Sequence, residues 1–252
     1  MSPPRLRLEK CKNIGEGLWS VDKGQAHHLV KVLRVSAREE VEGLLEGEKL
    51  RLRLEGTEEG LRARRISSVP AGKGLPRITL LASLLKGGDF ELLLRGVTEV
   101  GVSTILPVEA NRSVLRLQGE EKARRVARWR RILEEATLQC GAASIPDLEF
   151  PVPLEKALAR DLPPLKVAGI LEEATVPLAK VPCAPEAVVA IGPEGDWDEK
   201  EIMALKESGF TAVSLGQNVL KAFTAAVVAC SYLVLAWEGQ ACGNVSGQKV
   251  PD

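Results

Sequence analysis

The chain has 252 residues, 45% of them hydrophobic, and its 34 lysines and arginines are balanced by 34 aspartates and glutamates. That length allows one large domain or two small ones with packed cores, and a net charge of zero gives no long-range field toward nucleic acid, so any such contact must rest on local clusters. Five cysteines (Cys11, Cys140, Cys183, Cys230, Cys242), odd in number, scattered and without a CxxC pair, argue against a disulfide framework and a zinc site and fit a reducing cytoplasm.

From Arg5 to Val69 the pattern is short and strand-like: Arg5 to Leu8, Leu18 to Val21, Val41 to Leu45, Leu50 to Leu54 and Leu61 to Ile66, with one helix near Ala26 to Arg34. Short strands around a single helix predict a small β-barrel. Arg51 and Arg53 alternate with Leu50, Leu52 and Leu54, and Arg62 and Arg64 alternate with Leu61 and Ala63, so each strand has one basic and one apolar face. The basic face either lies along phosphates or is simply solvated. His27 and His28 are adjacent on the helix and diverge by about 100°, which predicts no metal pair, one histidine structural and the other exposed. Met1 to Arg5 leads into charged residues, so no secretory signal is expected.

Residues 70–76 carry enough proline and glycine to defeat helix and strand alike, and the domain boundary is expected there, with a first domain at 1–70, a second at 76–240 and a flexible tail at 241–252. Arg77 to Leu85 reads as a strand, Asp89 as an N-cap, Phe90 to Val100 as a helix closed by Gly101, and Val102 to Val108 as the next strand. That βαβ unit predicts a parallel sheet with helices on its faces. A long helix is expected from Glu120 to Cys140, with Val126, Trp129, Leu133, Ala136 and Cys140 as its buried stripe. Lys122, Arg124, Arg125, Arg128, Arg130 and Arg131 crowd its first half, a concentration that favours contact with phosphates over a merely solvated face.

Pro146 to Pro164 is irregular around a short helix at Leu154 to Ala159, and Lys166 to Leu171 is a further strand ending in Glu172-Glu173. Val188 to Ile191 and Thr211 to Leu215 are short apolar runs, each ending in a glycine-bearing turn: Gly192-Pro193-Glu194-Gly195 and Gly216. In parallel α/β sheets, ligands settle outside the carboxyl ends of the strands, where such turns gather. Asp198 and Glu201 have capping-box spacing. Ala222 to Trp237 is shorter than the roughly 20 residues that span a bilayer and reads as a buried helix, so no membrane partner is expected.

Taken together, HHLVKVLRV at 27–35, LLKGGDFELLLRGVTEVGVSTILPVEANRSV at 84–114, RWRRILEEATLQCG at 128–141, IGPEGDWDEKEI at 191–202 and VSLGQNVLKAFTAA at 213–226 resemble, in order and spacing, the RsmE family of SPOUT methyltransferases. The resemblance covers nearly the whole chain. It implies methylation of N3 of a uridine in 16S ribosomal RNA of the small subunit, with S-adenosylmethionine as cofactor, in a cytoplasmic homodimer that needs no metal. It also implies a PUA-like RNA-binding barrel at 1–70, followed by an α/β domain whose parallel sheet carries a deep trefoil knot, a topology that the rarity of threaded chains would otherwise argue against.

Carried onto this chain, the resemblance assigns the cofactor to Leu171, Glu172, Gly192, Pro193, Glu194, Gly195, Leu215, Gly216, Val219 and Leu220. Glycines allow close backbone approach, peptide groups read the adenine edge and aliphatic side chains sandwich the ring. Glu194 and Asp196 are the carboxylates nearest the turn, as proton acceptor or as partner of the cofactor's ammonium, with the alternative that Glu194 merely ties the turn together. Arg51, Arg53, Arg62, Arg64, Lys122, Arg124, Arg125, Arg128 and Lys221 are the expected RNA contacts.

The chain departs from the family pattern at several of these points. Asp196 stands where the family has a second glycine after GPEG, Asn218 and Lys221 where it has arginines, Phe223 where it has a glutamate, and Ala142 where it has a further arginine. Each lost guanidinium removes charge-assisted hydrogen bonds worth about 1.5–3 kcal/mol. The departures keep two alternatives open: a homologue that binds RNA or ribosomal subunits without methylating, and a methyltransferase with a shifted target.

Overall fold

A computed structural model of the chain describes residues 3–36, 38–45, 48–57, 60–69, 74–172 and 175–243. Most of the expected linker, at 70–73, and most of the expected tail, at 244–252, lie outside the described residues. The chain divides into two compact units, one of Met1–Gly72 with Glu134–Ile145, the other of Lys73–Leu133 with Pro146–Asp252.

In the first unit β1 (Arg5–Arg7), β2 (Lys12–Gly15), β3 (Leu18–Ser20), β4 (Glu40–Leu45), β5 (Glu48–Glu55) and β6 (Arg62–Val69) form one mixed sheet in the order β1-β4-β5-β6-β3-β2. Only β1 and β4 run parallel; the other pairings are antiparallel. Alternation along β5 buries Leu50, Leu52 and Leu54 in a core with Leu6, Trp19 and Leu29 and leaves Arg51 and Arg53 outside. β2 is absent from the sequence reading because its residues are all exposed, so no apolar alternation marks it; pairing with β3 creates it. α1 (Lys23–His27) starts where the Asp22 carboxylate accepts the N–H groups of Gly24 and Gln25, and it continues as a π turn over His28–Val32. Both His27 and His28 are exposed, which corrects the expectation of one structural histidine: Ala26 and Leu29 take the buried face instead.

The second unit is built on an eight-stranded sheet in which every pairing is parallel. Its strands are β7 (Arg77–Ser83), β8 (Thr104–Glu109), β9 (Asp147–Leu148), β10 (Val152–Pro153), β11 (Leu165–Gly169), β12 (Val176–Pro177), β13 (Glu186–Ile191) and β14 (Thr211–Ser214). The order is β10-β8-β7-β13-β11-β14-β12, with β9 paired to β8. The helices are α2 (Asp89–Val100), α3 (Gly119–Cys140, which runs past the division at Leu133), α4 (Leu154–Leu158), α5 (Glu199–Glu207) and α6 (Ala222–Gly243). Continuous apolar runs such as Val188-Val189-Ala190 suit strands covered on both faces, and all three are buried. A Cβ at Gly96 would lie 2.6 Å from Val227 Cγ2, so glycine there lets α2 and α6 pack closely. α3 buries Val126, Trp129, Leu133 and Ala136 as expected, while Cys140 at its end is only half-buried; the Trp129 ring lies 4.5 Å from that of Phe90.

Three local expectations are corrected. Asp89 is the first residue of α2 rather than its cap; Gly88 holds the cap position, without a side-chain bond. α6 continues through Gly243 instead of dissolving into a tail at 241. Ala222–Gly239 is long and apolar enough to cross a membrane by length and composition, yet only 39% of it is buried, with Val228 and Leu235 exposed. The helix packs on α2, β7 and β13, as a sheet-covering helix does.

Candidate active site

Because β13 inserts between β7 and β11, and β11 lies between β13 and β14, the carboxyl ends of all these parallel strands share one edge of the sheet. They open onto a cavity of about 590 Å³, within the range typical of small-molecule sites. Its walls are Leu85, Lys86 and Asp89 after β7, Gly169 to Glu172 after β11, Gly192 to Glu194 and Asp196 after β13, and Leu215 to Ala222 after β14. The structure thereby brings together Leu171, Glu172, Gly192, Pro193, Glu194, Asp196, Leu215, Gly216, Val219, Leu220 and Lys221. Gly195 does not line the cavity; a Cβ there would meet Arg112 Cβ at 3.5 Å and Cδ at 3.6 Å.

The turn after β13 is tied to the strands on either side. Glu194 Oε1 accepts the Lys86 backbone N–H at 3.0 Å, reaching the segment after β7, and Asp196 Oδ2 accepts the Leu171 N–H at 3.0 Å, reaching the end of β11. The Asp196 N–H closes the turn on the Pro193 carbonyl at 3.0 Å. Asp196 has φ +59°, the left-handed region that glycine enters freely and aspartate tolerates better than most residues, which accounts physically for both residue types at this position. A Cβ on Gly192 would lie 3.2 Å from Trp197 Nε1 and 3.3 Å from Asp196 Oδ1, so the strand-end glycine is fixed by crowding behind it. Gly216 has φ +133°, a conformation other residues rarely adopt. Glu172 is held by Lys206 at 2.7 Å.

Sequence reasoning did not place Lys86 or Arg112 at the site and read Asp89 only as a helix cap, although Lys86 and Asp89 lie in LLKGGDF at the end of a predicted strand. Their position beside β13 depends on strand order, which no local pattern encodes. Among the described residues no cluster of metal ligands exists. Burial pushes the Cys230 thiol up to about 12, so it is an inert packing group.

The expected RNA-contacting cations are largely engaged with carboxylates. Arg51 and Arg53 share Glu40 at 3.8 and 3.4 Å, and Arg64 pairs with Glu55 at 2.7 Å, holding that carboxyl below its usual range. Lys122 meets Glu109 at 2.8 Å, Arg125 meets Glu121 at 3.7 Å and Arg128 meets Glu91 at 2.7 Å. Arg62 and Arg124 are exposed. Among these, the exposed pairs of Arg51, Arg53 and Arg64 are weakened by solvent screening and do not prevent those arginines from turning to a phosphate, whereas Lys122 and Glu109 are part-buried.

The fold and this site define a methyltransferase domain. Residues 73–234 match the family model described as an RNA methyltransferase domain. The chain is 32% identical over 193 residues to ribosomal RNA small subunit methyltransferase E of Mycobacterium bovis, covering 72% of this chain and 73% of that protein. A methyltransferase from Legionella pneumophila, solved with the cofactor SAM bound, superposes with a TM-score of 0.81 at 26% identity, covering 94% of this chain and 98% of that one. Ribosomal RNA small subunit methyltransferase E from Neisseria gonorrhoeae, bound to S-adenosyl methionine, superposes with a TM-score of 0.80 at 26% identity over 92% of this chain and 97% of that one. The chain belongs to the RsmE-type family of RNA methyltransferases.

Proposed function

We propose that this chain is an S-adenosylmethionine-dependent methyltransferase of small-subunit ribosomal RNA that modifies N3 of a uridine. The observation that carries the reading is the single cavity into which four parallel strand ends deliver their turns. The residues fit the cofactor: Gly192 and Gly216 leave the backbone bare, Ile170, Ile191, Leu215 and Leu220 offer apolar surface for a purine, and the acidic groups suit a cationic molecule.

When bound, the cofactor supplies an activated methyl on a sulfonium. The protein's part is to align the uracil N3 with the S–CH3 axis and to take the N3 proton. Glu194 is exposed at the cavity with one oxygen on the Lys86 amide, leaving Oε2 as the proposed proton acceptor. Asp196, bound to the Leu171 amide, holds the rim. Leu171, Glu172, Pro193, Leu215, Val219 and Leu220 complete the cofactor wall, and Lys221 with the arginines of β5, β6 and α3 meets RNA phosphates.

The curled six-stranded sheet supports the reading of residues 1–70 as a PUA-like RNA-binding barrel, and the insertion of β13 between β7 and β11 supports a knotted crossover in the second unit. The exposed Val228 and Leu235 of α6, seven residues apart and so on one helical face, suit a homodimer contact in a cytoplasmic enzyme. The test is calorimetric titration with S-adenosylmethionine, followed by methyl transfer to small subunits lacking the modification and mapping of the methylated atom. Binding with transfer to a uridine N3 supports the proposal; binding without transfer favours an RNA-binding homologue, and transfer to another atom a shifted target.

A further inference from the structure

After β8 ends at Glu109, the chain wraps the outer side of the turn after β13. Arg112 Nη1 donates to the two carbonyls that flank Asp196 in that turn's peptide run, Gly195 O at 3.0 Å and Trp197 O at 3.2 Å. Its neighbour Asn111 anchors the wrap: the backbone N–H donates to the Glu201 Oε1 at 2.7 Å and Nδ2 donates to Asp198 Oδ2 at 2.7 Å. Arg116 Nη2 closes it by donating to the Asn111 carbonyl at 2.7 Å. Of the receiving residues Trp197 and Glu201 are buried, at 1% and 3% exposure, Asp198 is half-buried and Gly195 is exposed. No backbone donor among the described residues reaches the Gly195 or Trp197 carbonyl.

We infer that Arg112 is a positioning residue for the cofactor turn, an inference that rests on reading the cavity as the cofactor site. The turn between β13 and α5 has two sides. Gly192, Pro193 and Glu194 face the cavity, while the Gly195 and Trp197 carbonyls face Arg112. A single guanidinium nitrogen bonded to both carbonyls fixes the rotation of the peptides between them, and so fixes which backbone groups point inward. Without it the two carbonyls lose their partner, and the turn gains freedom to rotate about the peptides that carry Asp196. Arginine suits the task because its planar head holds direction where a lysine ammonium acts as a point charge.

The experiment is titration of the full chain and of Arg112→Gln and Arg112→Lys with S-adenosylmethionine and S-adenosylhomocysteine, with circular dichroism to establish folding. The expected result is weakening of both nucleosides by about tenfold or more in Arg112→Gln, with partial recovery in Arg112→Lys. In turnover on small subunits the loss falls on KM for the cofactor and not on kcat. Equal Kd values in folded Arg112→Gln and wild type overturn the inference, and equal cofactor Kd values with weakened RNA binding reassign Arg112 to a phosphate. If Arg112→Gln does not fold, Arg112→Lys decides alone: unchanged cofactor affinity together with an unchanged KM overturns the inference. A wild-type chain that binds neither nucleoside overturns the cofactor reading itself, a failure distinct from a wild type that binds and a variant that binds equally well.

Discussion

The Asp196 carboxylate accepts the backbone N–H of Leu171 at 3.0 Å, joining the turn after β13 to the end of β11. Two residues earlier Glu194 reaches to the strand on the other side, accepting the Lys86 N–H after β7. The carboxylates in and next to the Gly192-Pro193-Glu194-Gly195 turn are thus fasteners between neighbouring strand ends.

Asp196→Ala removes the fastener and leaves a non-glycine residue at φ +59°, whereas Asp196→Gly removes it without strain. A lost charge-assisted hydrogen bond of about 1.5–3 kcal/mol corresponds to a fall of about one to two powers of ten in cofactor affinity. Calorimetry is expected to show that loss in both variants, and thermal unfolding a lower Tm for alanine than for glycine. Unchanged affinity in both would show that Leu171 is held without Asp196.

Gly192→Ala places a methyl 3.2 Å from Nε1 of the buried Trp197 and 3.3 Å from Asp196 Oδ1, whose carboxylate is held by the Leu171 N–H through Oδ2. Overpacking of that kind costs about 1–3 kcal/mol. Chemical denaturation is expected to show that loss together with weaker cofactor binding; wild-type stability would mean that Trp197 yields.

Asp198 caps α5 by accepting the Glu201 N–H at 2.8 Å, while Glu201 accepts the Asp198 N–H at 2.9 Å. Hydrogen bonds from the Glu201 backbone and then from Asn111 hold the Asp198 carboxyl below its ordinary range. The folded value lies under the unfolded one, so the stabilisation is complete above about pH 4 and disappears as pH falls through the lowered value. Asp198→Ala is expected to cost about 1 kcal/mol at neutral pH, with the difference from wild type shrinking in acid. Urea midpoints at pH 7 and pH 3 check both statements.

Reversing Arg124, Arg125 and Arg128 to glutamate tests α3 as a phosphate-contacting helix. RNA affinity is expected to fall and the slope of log K against log salt to flatten by about 0.7–0.9 per lost contact. An unchanged slope would return these side chains to their pairs with Glu121 and Glu91.

Much of the fold is legible along the chain because its signals are local. The Val188 to Ile191 run, the Asp198 and Glu201 spacing and the Val126, Trp129, Leu133 stripe each mark their element through periodicity or capping chemistry within a few residues. β2, with every residue exposed, and β9, β10 and β12, two residues each, leave no such mark. They exist because a neighbouring strand offers unpaired backbone groups.

The site divides in the same way. By itself the sequence determined the glycine turns, the apolar strands that lead into them and the order of motifs shared with the family, all set by short-range sterics and patterning. Only the tertiary structure decided that β13 lies between β7 and β11, that Glu194 and Asp196 therefore reach Lys86 and Leu171, and that Gly195 turns outward to Arg112. Strand order is chosen by the burial of both sheet faces across the whole unit, and residues far apart in the chain acquire their partners only once that choice is made.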